Sequence, residues 1–107
     1  MPTTVASGTQ TAIISTEHTL TTETTAAVYV LTVDTLNMIN GDELTLKITT
    51  RVLTGGANAQ AFIANYTHIQ ADKIKISVPV ASMFSIVFTL EQTAGTGRDF
   101  DWSVVTL

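Results

Sequence analysis

From residue 43 to 52 the chain alternates between greasy and wet side chains. Leu44, Leu46, Ile48, Thr50 and Val52 fall on one side, and Glu43, Thr45, Lys47, Thr49 and Arg51 on the other. A period of two is the mark of an extended strand, whose successive side chains point to opposite faces. One apolar and one wet face belongs to an antiparallel sheet that covers a core on one side only. A lone strand of this kind is unstable in water, so the segment commits the chain to a sheet of several strands.

The same rhythm recurs along the sequence. Residues 11–15 are a short strand candidate, and residues 18–22 have the composition of an edge strand. Residues 26–33, with Val28, Tyr29, Val30, Leu31 and Val33, predict a strand buried on much of both faces. Residues 61–70 place Phe62, Ala64, Tyr66 and His68 on one side. Ile74, Ile76, Val78 and Val80 then alternate with Lys75, Ser77 and Pro79. Pro79 cannot donate to a ladder, so this strand should lie at an edge or end there. Residues 83–91 turn Phe84, Ile86, Phe88 and Leu90 toward a core, and Phe100, Trp102 and Val104 alternate in a last strand.

Turn chemistry separates these runs. Residues 34–39 break the pattern as a loop or a single helical turn. Asn40-Gly41-Asp42 tolerates positive φ, and residues 54–58, 71–73 and 93–97 are rich in Gly, Asn, Asp or Thr. The expected fold is therefore all-β: an antiparallel β-sandwich, jelly-roll-like or Greek-key, of about seven to eight short strands. The 107 residues suit one domain over residues 9–107, with residues 1–8 as a flexible or docking N-terminal arm.

Composition narrows the function. Threonine makes up roughly a fifth of the chain, and this stiff β-branched residue suits the exposed face of a sheet. Only 13% of residues are charged and the net charge is −4. The five basic residues, Lys47, Arg51, Lys73, Lys75 and Arg98, are scattered, which argues against binding nucleic acid or an anionic membrane. There is no cysteine, hence no disulfide, thiolate metal site or cysteine nucleophile. No apolar run reaches the roughly 20 residues of a membrane span. The opening residues have neither a basic nor a long apolar stretch, so no signal peptide is expected.

No catalytic constellation emerges, and the chain is expected not to be an enzyme. The histidines are His18 and His68. Glu17 is adjacent to His18 and on a strand would point to the other face, so it is badly placed to orient the ring. His68, on the Phe62 face, reads as a hydrogen-bonded, partly buried ring. Asp99 with Asp101, and Asp42 with Glu43, are carboxylate pairs, but neither has the spacing of a calcium loop. The plainer expectation is that Asp42 fixes its turn and that Asp99 or Asp101 pairs with Arg98. Gly55-Gly56 and Gly95-Thr96-Gly97 feed strands rather than helices, so they are hairpin turns and not phosphate loops. Asn65-Tyr66-Thr67 matches a glycosylation sequon that has no use without export. No metal and no cofactor is expected.

Longer phrases carry a resemblance. They are residues 6–12 (Ala-Ser-Gly-Thr-Gln-Thr-Ala), residues 16–20 (Thr-Glu-His-Thr-Leu), residues 29–34 with Asn40-Gly41-Asp42, and residues 90–98. Together they resemble small all-β virion structural proteins of tailed bacteriophages, of the capsid decoration or cement type. The resemblance spans nearly the whole chain. It implies a non-enzymatic structural protein of the virion, assembled in the host cytoplasm. It further implies a homo-oligomer bound between shell subunits, with the major capsid protein or other virion proteins as partners. A tail or head–tail connector component is the alternative within the particle. A small carbohydrate-binding module is the alternative outside it, and would need exposed aromatics. Candidate interface residues are Pro2 and Val5 on the arm, Met38 and Ile39 in the loop before Asn40, and Trp102.

Overall fold

The computed structural model describes residues 2–107, and Met1, the first residue of the expected arm, lies outside them. Nine strands follow in order: β1 Thr3–Thr11, β2 Glu17–Glu23, β3 Ala27–Asp34, β4 Glu43–Thr50, β5 Ala59–Thr67, β6 Ile74–Ile76, β7 Val80–Ser82, β8 Ile86–Ala94 and β9 Asp99–Thr106. One sheet runs β1-β9-β3-β6, with β7 also paired to β3, and the other runs β2-β8-β4-β5. All pairings are antiparallel. The chain is an all-β antiparallel sandwich.

Its connectivity is that of a jelly roll. Strands β6 and β7 pair with successive parts of β3 and are interrupted around Pro79. Counted together they give four strands per sheet. The chain changes sheet at every connection except the β4–β5 hairpin and the β6–β7 break. Eight strands wound this way are the jelly-roll arrangement.

The core follows the alternation. The inner side chains are Tyr29, Leu31 and Val33 on β3, Leu44, Leu46 and Ile48 on β4, Ile86, Phe88 and Leu90 on β8, and Phe100 and Val104 on β9. These four strands are central in their sheets, which is why their inward residues are the best buried. Tyr29 meets Phe88 edge-on across the sandwich, with ring centres 5.9 Å apart, a favoured aromatic geometry. Burial pushes the Tyr29 phenol above its ordinary value, and Glu23 adds to the shift.

Several expectations need correction. Residues 3–8 are not a separate arm: they form most of β1, hydrogen-bonded along β9. The open edge of β9 offers unpaired N–H and C=O groups, and an uncharged extended segment satisfies them. The strand expected over residues 11–15 ends at Thr11, and Ser15, at φ 63°, is in a turn. Strand β4 ends at Thr50, so Val52 is 85% exposed in a loop. Ile74, Ile76 and Val78 face solvent, whereas Ser77 is buried and its Oγ accepts the Leu31 N–H. Lys75, paired with Val33, turns in and lies over the Tyr66 ring at 5.0 Å. Phe84 is only half-buried because β8 begins at Ile86.

Phe88→Ala is expected to destabilise the fold by about 3–5 kcal/mol, because it opens a cavity at the centre of the core. Val52→Ala is expected to stay within about 0.5 kcal/mol of wild type. Midpoints of urea unfolding compare the two directly.

Candidate functional site

At the end of the sandwich where β3 passes to β4, four loops meet over one carboxylate. Asp42 is 1% exposed. Its Oδ2 accepts the Ile39 N–H at 3.0 Å and the Arg98 Nε–H at 2.9 Å, and its Oδ1 accepts the Thr96 N–H at 3.3 Å. Its backbone carbonyl accepts the His68 N–H. The Asx-type bond to Ile39 fixes the turn, as the sequence suggested. The same side chain also holds the β8–β9 loop, which the sequence did not reveal.

Gln92, fully buried on β8, completes the arrangement. Its Nε2 donates to the carbonyls of Ala94 and Thr96, and its Oε1 accepts the Arg98 N–H. The Gln92 carbonyl accepts the Ser15 N–H, and the Arg98 carbonyl accepts the Ala12 N–H, so the β1–β2 loop is tied in as well. Gly95 makes the close approach possible. Its φ is +92°, and a Cβ there would lie 2.0 Å from Asp42 Oδ1. Glycine meets both demands.

Burial alone would raise the Asp42 pKa. The donors from Ile39, Arg98 and Thr96 outweigh that, and the carboxyl titrates below its ordinary value. With both oxygens occupied and no solvent access, Asp42 is neither a nucleophile nor a base. It is a structural anchor.

The two histidines accept backbone N–H groups in loops. His68 is exposed rather than partly buried, sits at φ 63°, and accepts the Gly41 N–H on Nδ1 at 2.9 Å. It closes the turn at Gly41 from outside. His18 accepts the Ile13 N–H on Nε2 at 3.1 Å. Both rings serve loop backbone.

A second group of carboxylates lies on the outer face of the β1-β9-β3 sheet. Asp34 is directly opposite Asp101, and Asp99 follows two residues away on the same face. Neither Asp99 nor Asp101 pairs with Arg98, whose guanidinium is turned to Asp42. Instead Thr9 donates to Asp101 at 2.6 Å and Thr11 to Asp99 at 2.7 Å. These bonds follow from the register, which sets Thr9 and Thr11 against those two residues. Beside them is a shallow groove of about 210 Å³, lined by Thr32, Asp34, Ile74, Asp101, Trp102 and Ser103. It is smaller than the roughly 300–1,000 Å³ of ordinary ligand pockets. Among the described residues no group of three or more His, Asp or Glu side chains is close enough to hold a metal ion.

The expected interface residues separate. Pro2 and Val5 are exposed near the start of β1, and Val5 stands at a bulge between Thr4 and Ala6. Ile39 is 49% exposed. Met38, its neighbour, is only 2% exposed and belongs to the core, which corrects its assignment to the surface. The turn that presents Ile39 bends the chain so that Met38 plugs the end of the sandwich. Trp102 is half-buried against the core, opposite Gly8. The structure brings three further apolar side chains to the Ile39 end: Ile13, Leu36 and Ile69, each more than half exposed. They lie in three loops, and only the loop positions of Leu36 and Ile13 beside turn residues hinted at it. Comparison with protein-family models, with curated proteins and with solved structures gives no match.

Asp42→Ala leaves the half-buried Arg98 guanidinium and the Ile39 and Thr96 N–H groups without their acceptor, and a loss of about 2–4 kcal/mol is expected. The depressed Asp42 pKa also has a pH signature. The ionised form favours the folded state, so its stabilisation is full above the ordinary carboxylate value and fades as pH falls through the lower, folded value. Urea midpoints measured from neutral to acid pH should fall less steeply for Asp42→Asn than for wild type.

Proposed function

We propose that this chain is a non-enzymatic structural protein of a tailed-phage virion, a capsid decoration or cement protein that binds between shell subunits. The observation that carries the reading is the end of the sandwich bearing Ile13, Leu36, Ile39 and Ile69. Four apolar side chains stand exposed there on loops held by the Asp42, Gln92 and Arg98 network. Exposed apolar groups that cluster mark contact surfaces. Loops already held in place lose little entropy on docking, so more of the contact energy appears as affinity.

Two further points support it. Jelly rolls serve in viral capsid domains, a fold-level analogy that the resemblance to tailed-phage proteins sharpens. Jelly rolls also serve in lectins, but among the described residues no aromatic side chain is exposed, so the stacking platform that a carbohydrate-binding module uses is missing. The major capsid protein is the partner on this reading, and repeated copies on a shell gain by multivalency.

Purified chain mixed with empty, expanded shells is expected to co-sediment with them. Replacing Leu36 and Ile39 by Asp should cost at least about 2 kcal/mol, roughly thirtyfold in affinity, without changing the unfolding midpoint. Co-sedimentation with tail tubes in place of shells would reassign the chain to the tail or the head–tail connector. Binding to neither would sink the proposal.

A further inference from the structure

The sandwich has four edge strands, and they are not equally protected. An open edge presents unpaired N–H and C=O groups, and proteins blunt it with charge, proline, bulges or short length. Strand β2 carries Glu17, His18 and Glu23 and has a bulge between Thr19 and Thr21. On the β6 and β7 side each strand has three residues, Lys75 lies in β6, and Pro79 lies between them. Strand β1 has the bulge at Val5 and presents mostly Thr, Ser and Gly, and its outer face borders Asp99 and Asp101. Paired with itself, β1 would bury little apolar surface and draw together the acidic rows of two molecules.

Strand β5 has the least of these defences. Ala59–Thr67 contains no charged residue and no proline. One extra residue, Ala61, interrupts its pairing with β4, and the ladder is continuous from Phe62 to Thr67. Its inward side chains, Phe62, Ala64 and Tyr66, are only half-buried, so the core is incompletely closed along this edge. Its outward Ile63 is 46% exposed.

We infer that β5 pairs with β5 of a second copy, antiparallel, to join two four-stranded sheets into one of eight strands. A two-fold axis normal to the sheet keeps core faces together only if it passes midway between a residue and its own copy, because a slip of one exchanges the faces. Centred on Ala64, it uses the whole regular run. Ala64 then meets the partner's Ala64, Phe62 meets the partner's Tyr66, and Ile63 meets the partner's Asn65. The small residue beside the axis lets the aromatic pairs close the gap in the core on either side, and cross-strand aromatic pairs are stabilising. A molecule of net charge −4 repels its own copies over most of its surface. An edge free of charged side chains is where that repulsion is least. The occupant is thus a second copy of this chain, and the pairing does not depend on which particle the chain joins.

Sedimentation velocity on the purified chain tests the pairing without any shell present. Wild type is expected to be a dimer that persists at high salt, because no ion pair holds it. Ile63→Lys with Asn65→Lys sets lysines directly opposite one another and should give a monomer. The same positions changed to Glu should also give a monomer, and mixing the Lys and Glu forms should restore a dimer containing one of each. Thr22→Lys, exposed on β2 at the opposite edge of the same sheet, should leave the dimer intact. If either double variant fails to fold, amide exchange of wild type still decides, since the alternate amides of residues 62–66 that point away from β4 must slow as concentration rises. A wild-type monomer at every accessible concentration, or a lysine variant that remains dimeric, overturns the inference. A monomer that still binds shells would overturn this pairing while leaving the structural reading intact.

Discussion

A sandwich whose chain crosses between sheets at almost every connection must pack several loops over one end of its core, and their backbone groups must find partners there. In this protein a single carboxylate does most of that. Asp42 gathers the N–H groups of Ile39 and Thr96 and the Arg98 guanidinium, while its own carbonyl holds His68. Gln92 binds the same loop from the β8 side and reaches the β1–β2 loop through Ser15. Ionised donors and acceptors in a largely buried site make strong bonds when all are satisfied and are costly when one is missing. The four loops therefore stand or fall together.

That arrangement also bears on function. Buried charge here is used up in holding loops, and the histidines are used up in closing turns. What the loops then present outward is apolar: Ile13, Leu36, Ile39 and Ile69. Three further carboxylates, Asp34, Asp99 and Asp101, lie on the outer face of the β1-β9-β3 sheet, where Thr9 and Thr11 bond two of them. Apolar tips on loops held in place are the feature on which the proposed structural role rests.

The readable parts of the sequence were those where one face is fully buried. In β4 and β8 the alternation picked out Leu44, Leu46 and Ile48, and Ile86, Phe88 and Leu90, all buried, although it ran past the strand ends to Val52 and Phe84, which are not. At the edges the rule failed. Ile74 and Ile76 alternate just as well, yet they point outward, because β6 is a short flank where Lys75 covers Tyr66 and Ser77 serves the Leu31 N–H. Met38 and Ile39 look alike in a loop, and only the bend at the turn decides that one is core and the other surface. Residues 3–8 carry no apolar stripe, and they form a strand only because β9 leaves an edge to be filled.

The class of fold, the central strands and the turn at Asn40-Gly41-Asp42 were legible in the sequence. These depend on local periodicity and on residue types, which are visible along the chain. Tertiary structure alone decided the jelly-roll winding, the partnership of Asp42 with Arg98 across 56 positions of sequence, and the gathering of four distant apolar residues at one end. The physical reason is that alternation tells a strand which face to bury but not which strand to lie beside. That choice is made by the packing of the whole molecule.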